Sequence, residues 1–254
     1  MNIAHRLKFP AARGHDLGQD EAYFYIHEGG EDVCVRFHDY DEIYKRPKLY
    51  EQLFYDRLQC SSPEVVGRIL AEAMADNGAS LSELRVLDLG AGNGMMGEEL
   101  KTRGVARLVG ADIIPEARDA AYRDRPHVYD DYYVADFGAL DESTREELES
   151  WHFDCLTSVA ALGFGDIPPH VFLAAMRLVK DDGWLAFNIK ETFLDHDETS
   201  GFSRFIRELI FSKYIDVHHL LRYRHRLSME GVPLYYYALI ARKKAQIPAD
   251  YLKR

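Results

Sequence analysis

The residues best suited to chemistry cluster in Val86 to Leu100, VLDLGAGNGMMGEEL. An apolar run enters Gly90-Ala91-Gly92-Asn93-Gly94, and a helical pattern leaves it. Glycine takes positive φ readily and lets backbone approach a ligand closely. A turn of this kind, outside the carboxyl end of a strand, is where open α/β sheets bind ligands. Gly92-Asn93-Gly94-Met95-Met96-Gly97 also fits GxGxxG, the dinucleotide pattern, so a nicotinamide dehydrogenase is one reading. That match is displaced two residues from the strand end, and Asp88 precedes the first glycine. A carboxylate there disfavours a pyrophosphate and suits a ligand with a cationic amino group. Asp112 ends the second apolar run, 18 residues after Gly94, where an acid accepts both hydroxyls of a ribose. Asp136 follows the third run. An acid there suits an exocyclic adenine amine, with Ile113 or Phe137 against the ring. Together these groups describe a nucleoside carrying an amino-acid tail.

The surrounding pattern must position them. Apolar runs at 85–89, 107–111, 132–135, 153–159 and 184–189 alternate with helical segments at 94–103, 115–123, 143–150 and 168–179. Strict alternation predicts a parallel, doubly wound sheet. Ser143 with Glu146 reads as a capping box. After a helix over 201–212, two strand-like runs, 217–227 and 234–242, are separated only by SMEGVP. That is too short for a crossover helix, so the pair is an antiparallel hairpin. Upstream, residues 1–20 look irregular, and 23–26 and 33–37 form a hairpin around Gly29 and Gly30. A helix over 39–57 breaks at Pro47, and another opens at Ser62-Pro63 with Ser62 as N-cap.

Asp88-Leu89-Gly90-Ala91-Gly92-Asn93-Gly94 matches the DxGxGxG signature of class I S-adenosylmethionine-dependent methyltransferases, and residues 85–243 resemble that family. The resemblance implies an α/β fold with a doubly wound seven-stranded sheet, strand order 3-2-1-4-5-7-6, strand 7 antiparallel. It implies S-adenosylmethionine as cofactor and S-adenosylhomocysteine as product. The cofactor set is then Asp88, Gly90, Ala91, Gly92, Asn93, Asp112, Ile113, Asp136, Phe137, Val159 and Tyr44. More loosely, VYDDYYVADF followed by VAALGFGDIPP resembles the branch named after the Williams–Beuren syndrome chromosome region, which offers no secure substrate.

Methyl transfer from a sulfonium depends chiefly on holding the nucleophile near the methyl carbon. A general base is needed only where the acceptor must lose a proton. The segment after the fourth strand, Ala160 to Asp166, lacks the [D/N]PP[Y/F] sequence of nucleobase and glutamine methyltransferases, and Asp166 is its one titratable group. Lys190, Glu191 and His196 follow the fifth strand as further base candidates. Residues 1–55 hold ten aromatics, and Tyr40-Asp41-Glu42-Ile43-Tyr44 resembles the start of the family's N-terminal covers. His38 and Tyr40 are the cover's candidates for touching substrate. The expected division is a cover at 1–62, of hairpin and helix, and a methyltransferase domain at 63–254. Arg222, Arg224 and Arg226 alternate, which puts three guanidiniums on one strand face. They either hold a substrate carboxylate or phosphate or protect an edge strand by charge.

The 254 residues carry 31 Lys and Arg against 42 Asp and Glu, a formal charge of −11. That balance opposes general binding to nucleic acid or to an anionic membrane. Cys34, Cys60 and Cys155 form no CxxC pair, and the eleven histidines show no metal spacing, so no metal is expected. With no signal-peptide pattern and no long apolar run, the expected setting is cytoplasmic. The function expected is methyl transfer to a small-molecule acceptor, an anion on one reading. The alternatives are an RNA or protein methyltransferase, or a sensor or scaffold that binds S-adenosylmethionine without turnover. The oligomeric state stays open.

Overall fold

The computed structural model describes residues 4–10, 21–162, 166–194 and 201–253. In chain order, β1 (Leu7–Lys8), β2 (Tyr23–Glu28) and β3 (Glu31–Arg36) form a three-stranded antiparallel sheet. The expected hairpin is therefore present, and β1 adds a third strand to it from a stretch read as irregular. The helix expected over 39–57 is two pieces, α1 (Tyr40–Lys45) and a π-helical segment Glu51–Arg57. Pro47 explains the break, and Lys48 beyond it takes a positive φ of 63°. Phe24, Ile26, Phe37, Ile43, Leu53 and Phe54 close a core of their own between this sheet and these helices.

Next come α2 (Ser62–Asp76), β4 (Arg85–Leu89), α3 (Met95–Thr102), β5 (Arg107–Asp112), α4 (Pro115–Asp124), β6 (Asp131–Val134), α5 (Glu142–Ser150), β7 (Phe153–Ser158), α6 (Pro169–Leu178), β8 (Val179–Lys190), α7 (Phe202–Phe211), β9 (Ile215–Leu227) and β10 (Pro233–Lys243). The seven strands lie in the order β6-β5-β4-β7-β8-β10-β9. Counted from β4, that is the expected 3-2-1-4-5-7-6, with β10 antiparallel to both neighbours. Parallel strands covered by helices on both faces are buried throughout, and all six residues of β7 are buried. One face packs Phe172 and Phe205 against Phe187 of the sheet. The other packs Val66, Leu70 and Leu100 against Val86 and Trp184.

Two expected caps fall elsewhere. The N-cap of α5 is Asp141, which accepts from the Thr144 amide, because Asp caps as well as Ser and stands two residues earlier. Ser62 is not a cap. Its hydroxyl is buried and meets Tyr223 Oη at 2.7 Å and His225 Nδ1 at 2.6 Å. Burial, with Arg226 adjacent, holds His225 well below the ordinary imidazole range, so the ring is neutral. Asn188 of β8 completes the group. Its amide donates to Ser62 Oγ and Tyr223 Oη, and its carbonyl accepts from the Ala160 amide at 2.7 Å. This network joins α2, β8 and β9 to the loop after β7, and so positions the floor of the site. Asn188→Ala strands several buried polar atoms at once. The expected cost is about 2–4 kcal/mol, since each unsatisfied group costs about 1–3 kcal/mol. Urea denaturation measures it; a cost under about 1 kcal/mol would remove the network's structural role.

Candidate active site

A cavity of about 350 Å³ opens at the carboxyl ends of β4, β5, β6 and β7. Gly90, Ala91, Gly92, Asn93, Asp112, Ile113, Asp136, Phe137, Val159 and Tyr44 all line it. The structure thus brings together ten of the eleven residues that the sequence assigns to a cofactor. The exception is Asp88, which does not line the cavity. It is buried beneath the turn, with Oδ1 accepting from Thr157 Oγ1 at 2.6 Å and Oδ2 from Tyr129 Oη at 2.8 Å. Both oxygens are taken by protein donors, so Asp88 serves the turn from below.

Two glycines of the turn are required by what presses on them. Gly90 has φ of 68°, and a Cβ there would lie 2.6 Å from Ala161 Cβ and 2.8 Å from Ile167 Cδ1. Gly92 has φ of 54°, and a Cβ there would collide with the Tyr44 hydroxyl. The turn is tied to its neighbours by backbone. Gly90 and Ala91 amides donate to the Ala111 carbonyl, and the Gly92 carbonyl accepts from Tyr132 Oη at 2.8 Å. Asp112 closes it from the side, accepting from the Gly92 amide at 3.0 Å and the Ile114 amide at 3.1 Å. Asp136 accepts from the Gly138 amide at 2.7 Å. Beside them Ile113 is 61% exposed, an apolar surface over which a flat ring can lie. The Asn93 side-chain oxygen is buried with no hydrogen-bond partner among the described residues, an acceptor open to an incoming donor.

The N-terminal segment supplies the opposite wall. Tyr40, Tyr44, Tyr50 and Tyr55 line the cavity. Burial pushes the hydroxyls of Tyr40, Tyr44 and Tyr55 well above the ordinary phenol range, so they stay neutral donors. Arg125 ties this wall to the turn, pairing with Glu51 and Glu98 at 2.9 Å each and donating to the Asn93 carbonyl. Arg123 donates to the Tyr44 carbonyl. On the far side Ala160 sits at φ 58°, an uncommon value for a residue with a side chain, held there by Asn188.

Of the catalytic candidates, His38 and Asp166 meet: Nδ1 lies 3.2 Å from Oδ2. Asp166 and Tyr40 line both the cavity and a smaller recess behind it, and His38 lines the recess. His196 lies outside the described residues. Lys190 and Glu191 do not line the cavity, and Glu191 is paired with Arg222 at 2.7 Å. The three arginines do not share a face. Arg222 and Arg224 are exposed on the edge strand β9, while Arg226 is buried, because a bulge lies between them. Sequence reasoning missed Tyr50, Tyr55 and His170 as lining residues. The two tyrosines belong to the N-terminal aromatic excess; His170, in the first turn of α6, carries no signal in the sequence.

A doubly wound sheet with a glycine turn and two acids around one cavity defines an α/β protein that binds a nucleoside-like ligand at its strand ends. The family model of the methyltransferase domain matches residues 61–227, and the chain belongs to that family. Ubiquinone biosynthesis O-methyltransferases of Thiobacillus denitrificans and Burkholderia vietnamiensis are each 30% identical over 113 residues, 44% of this chain and 47% of theirs. The chain spans about half the length of these curated relatives. The solved structure of a candidate RNA methyltransferase from Pyrococcus horikoshii is 15% identical, with a TM-score of 0.54 over 80% of this chain and 92% of that one. That likeness is one of fold. Among the described residues no helix is long and apolar enough to cross a membrane.

Burial pushes the Asp88 carboxyl up to about 6, against an ordinary value of 3.8; its two hydrogen bonds oppose the rise and nearby Asp112 adds to it. The folded chain therefore holds this proton more tightly than the unfolded one. The stability this contributes is full below about pH 4 and is lost as pH rises through about 6. Asp88→Asn keeps the shape and removes the loss. Its stability relative to the parent should rise by on the order of 2–3 kcal/mol between about pH 4 and pH 7. Urea melts across that range read it, and a difference independent of pH would contradict the burial of an ionisable Asp88.

Proposed function

We propose that the chain is an S-adenosylmethionine-dependent O-methyltransferase that acts on a small hydroxylated molecule, with His38 as general base. In this reading Asp112 holds the ribose hydroxyls, Asp136 the adenine amine, and Ile113 and Phe137 the adenine ring. The backbone of the glycine turn, Asn93 and the Tyr44 hydroxyl face the amino-acid tail, while Asp88 positions the turn through Tyr129 and Thr157. S-adenosylmethionine, when bound, supplies an electrophilic methyl group on a sulfonium.

The observation that carries the reading is the 3.2 Å approach of His38 to Asp166 beside the cavity. A hydroxyl must lose its proton as it attacks, and an imidazole is suited to take it. In this reading Nδ1 faces the carboxylate and Nε2 accepts the proton. Asp166 then orients the ring and stabilises the imidazolium formed. His38 comes from the N-terminal segment and Asp166 from the loop after β7, so the pair exists only when the two are packed together. The missing [D/N]PP[Y/F] segment and the O-methyltransferase names of the relatives support an oxygen acceptor. The four-tyrosine wall supports a small one. The finer likeness to the Williams–Beuren branch adds no acceptor to this reading.

His38→Asn should lower kcat by about 100-fold, within the range of general-base catalysis, and leave S-adenosylhomocysteine affinity within about twofold. Asp166→Asn, which keeps the ring but weakens its orientation, should cost about tenfold. Initial rates over a panel of phenolic and aliphatic alcohol acceptors, with calorimetry for the cofactor, check both. Full activity in His38→Asn would remove the base from the account.

A further inference from the structure

Among the described residues, Arg226 is a buried cation with no carboxylate partner. It is 7% exposed, and among the described residues no Asp or Glu oxygen comes within 4.0 Å of its guanidinium. Its one side-chain hydrogen bond among them runs from Nη1 to the Leu227 carbonyl, 2.9 Å away. The rings of Phe37 and Phe54 lie at 5.6 and 5.9 Å from the guanidinium carbon. Arg125, similarly buried, shows the ordinary solution, with Glu51 and Glu98 both at 2.9 Å. Buried charges in folded proteins are paired, because an unpaired one carries its full desolvation cost.

The backbone turns Arg226 inward deliberately. Arg226 pairs with Leu234 and Arg224 with Tyr235, so His225 is an extra residue in β9. This bulge reverses the alternation, and His225 and Arg226 are buried in succession where Arg222 and Arg224 are exposed. Bulges serve to re-aim side chains beside functional sites. Here Arg226 lines the recess behind the cavity, a space of about 50 Å³ that suits one small polar group. Tyr40, Tyr50, Ala160, Ala161 and Asp166 line both spaces. The recess therefore continues the cavity on the side of His38. Among the described residues its one carboxylate, Asp166, is engaged by His38.

We propose that Arg226 anchors the acceptor, which is an aromatic hydroxy acid: its carboxylate enters the recess against the guanidinium, its ring lies among the aromatic side chains, and its hydroxyl faces His38. The assignment deepens the methyl-transfer reading and rests on it for the hydroxyl. The carboxylate contact stands by itself. A guanidinium matches a carboxylate in a two-pronged geometry, and its affinity is greatest where water is excluded. The proposal also explains the cost of an unpaired charge, since the partner arrives with the substrate.

Calorimetry on the full chain, saturated with S-adenosylhomocysteine, tests it with isosteric pairs. The probes are 4-hydroxybenzoate against 4-hydroxybenzamide, and benzoate against benzamide. Each acid should bind about tenfold or more tightly than its amide, a charge-assisted hydrogen bond's worth. Arg226→Gln should abolish that preference, and Arg226→Lys, which keeps the charge, should retain most of it. S-adenosylhomocysteine affinity should be unchanged in both variants, which also shows that they are folded. No preference in the parent, or a preference that survives in Arg226→Gln, overturns the proposal. Failure of the parent to bind S-adenosylhomocysteine would instead overturn the cofactor reading, and the acid–amide comparison on the free protein would still decide the role of Arg226.

Discussion

The turn from Gly90 to Gly94 has to pass between three surfaces, two of which leave no room for a side chain at Gly90 and Gly92. Ala161 and Ile167 press on Gly90 from the loop after β7, and the Tyr44 hydroxyl presses on Gly92 from the N-terminal segment. Asp112 reaches across from β5 to take the Gly92 amide. Each of these surfaces belongs to a different part of the proposed reaction: acceptor loop, cover and ribose acid. Their relative placement is thus set by contact with one short stretch of backbone in left-handed conformations. A side chain at either glycine would push apart the walls that the site needs close, and would do so whatever its chemistry.

The site holds several groups in states that folding alone would not choose. Among the described residues, Asp88 is a carboxyl under the turn with no cation beside it, Arg226 is a guanidinium with no anion, and Ala160 is held at positive φ. Each is destabilising by itself, and each is held by a well-satisfied neighbourhood. Thr157 and Tyr129 grip Asp88, Asn188 grips Ala160, and a β-bulge braced by His225 and Ser62 directs Arg226. Strain and buried charge gathered round one cavity mark a functional site, where the surrounding structure over-determines them. The buried Arg125 triad, paired on both sides, shows that the same fold neutralises a charge when the role is structural.

Much of this was legible in the sequence because it is local. The period-two and helical patterns placed all seven strands of the main sheet, the family resemblance implied their order, and Asp112 and Asp136 fell on the cavity. What was hidden depends on distant packing. Nothing in the spacing around Asp88 shows that Tyr129, 41 residues on, turns its carboxylate under the turn. The alternation of Arg222, Arg224 and Arg226 suggests one face, and only the bulge at His225 separates the last from the others. The meeting of His38 with Asp166 joins two residues 128 positions apart and needs the N-terminal sheet docked. Ser62 and Ser143 read as caps because local rules cannot tell a cap from a buried network or rank it against a nearby Asp.

This turn, with its two acids, is built for a nucleoside bearing an amino-acid tail and not for a dinucleotide. Calorimetric titration of the full chain with S-adenosylhomocysteine and, separately, with NAD addresses it most directly. Saturable one-to-one binding of S-adenosylhomocysteine is expected, with a Kd at or below about 10 μM, on the order of −7 kcal/mol, and no detectable heat with NAD. Binding of NAD without S-adenosylhomocysteine would contradict it.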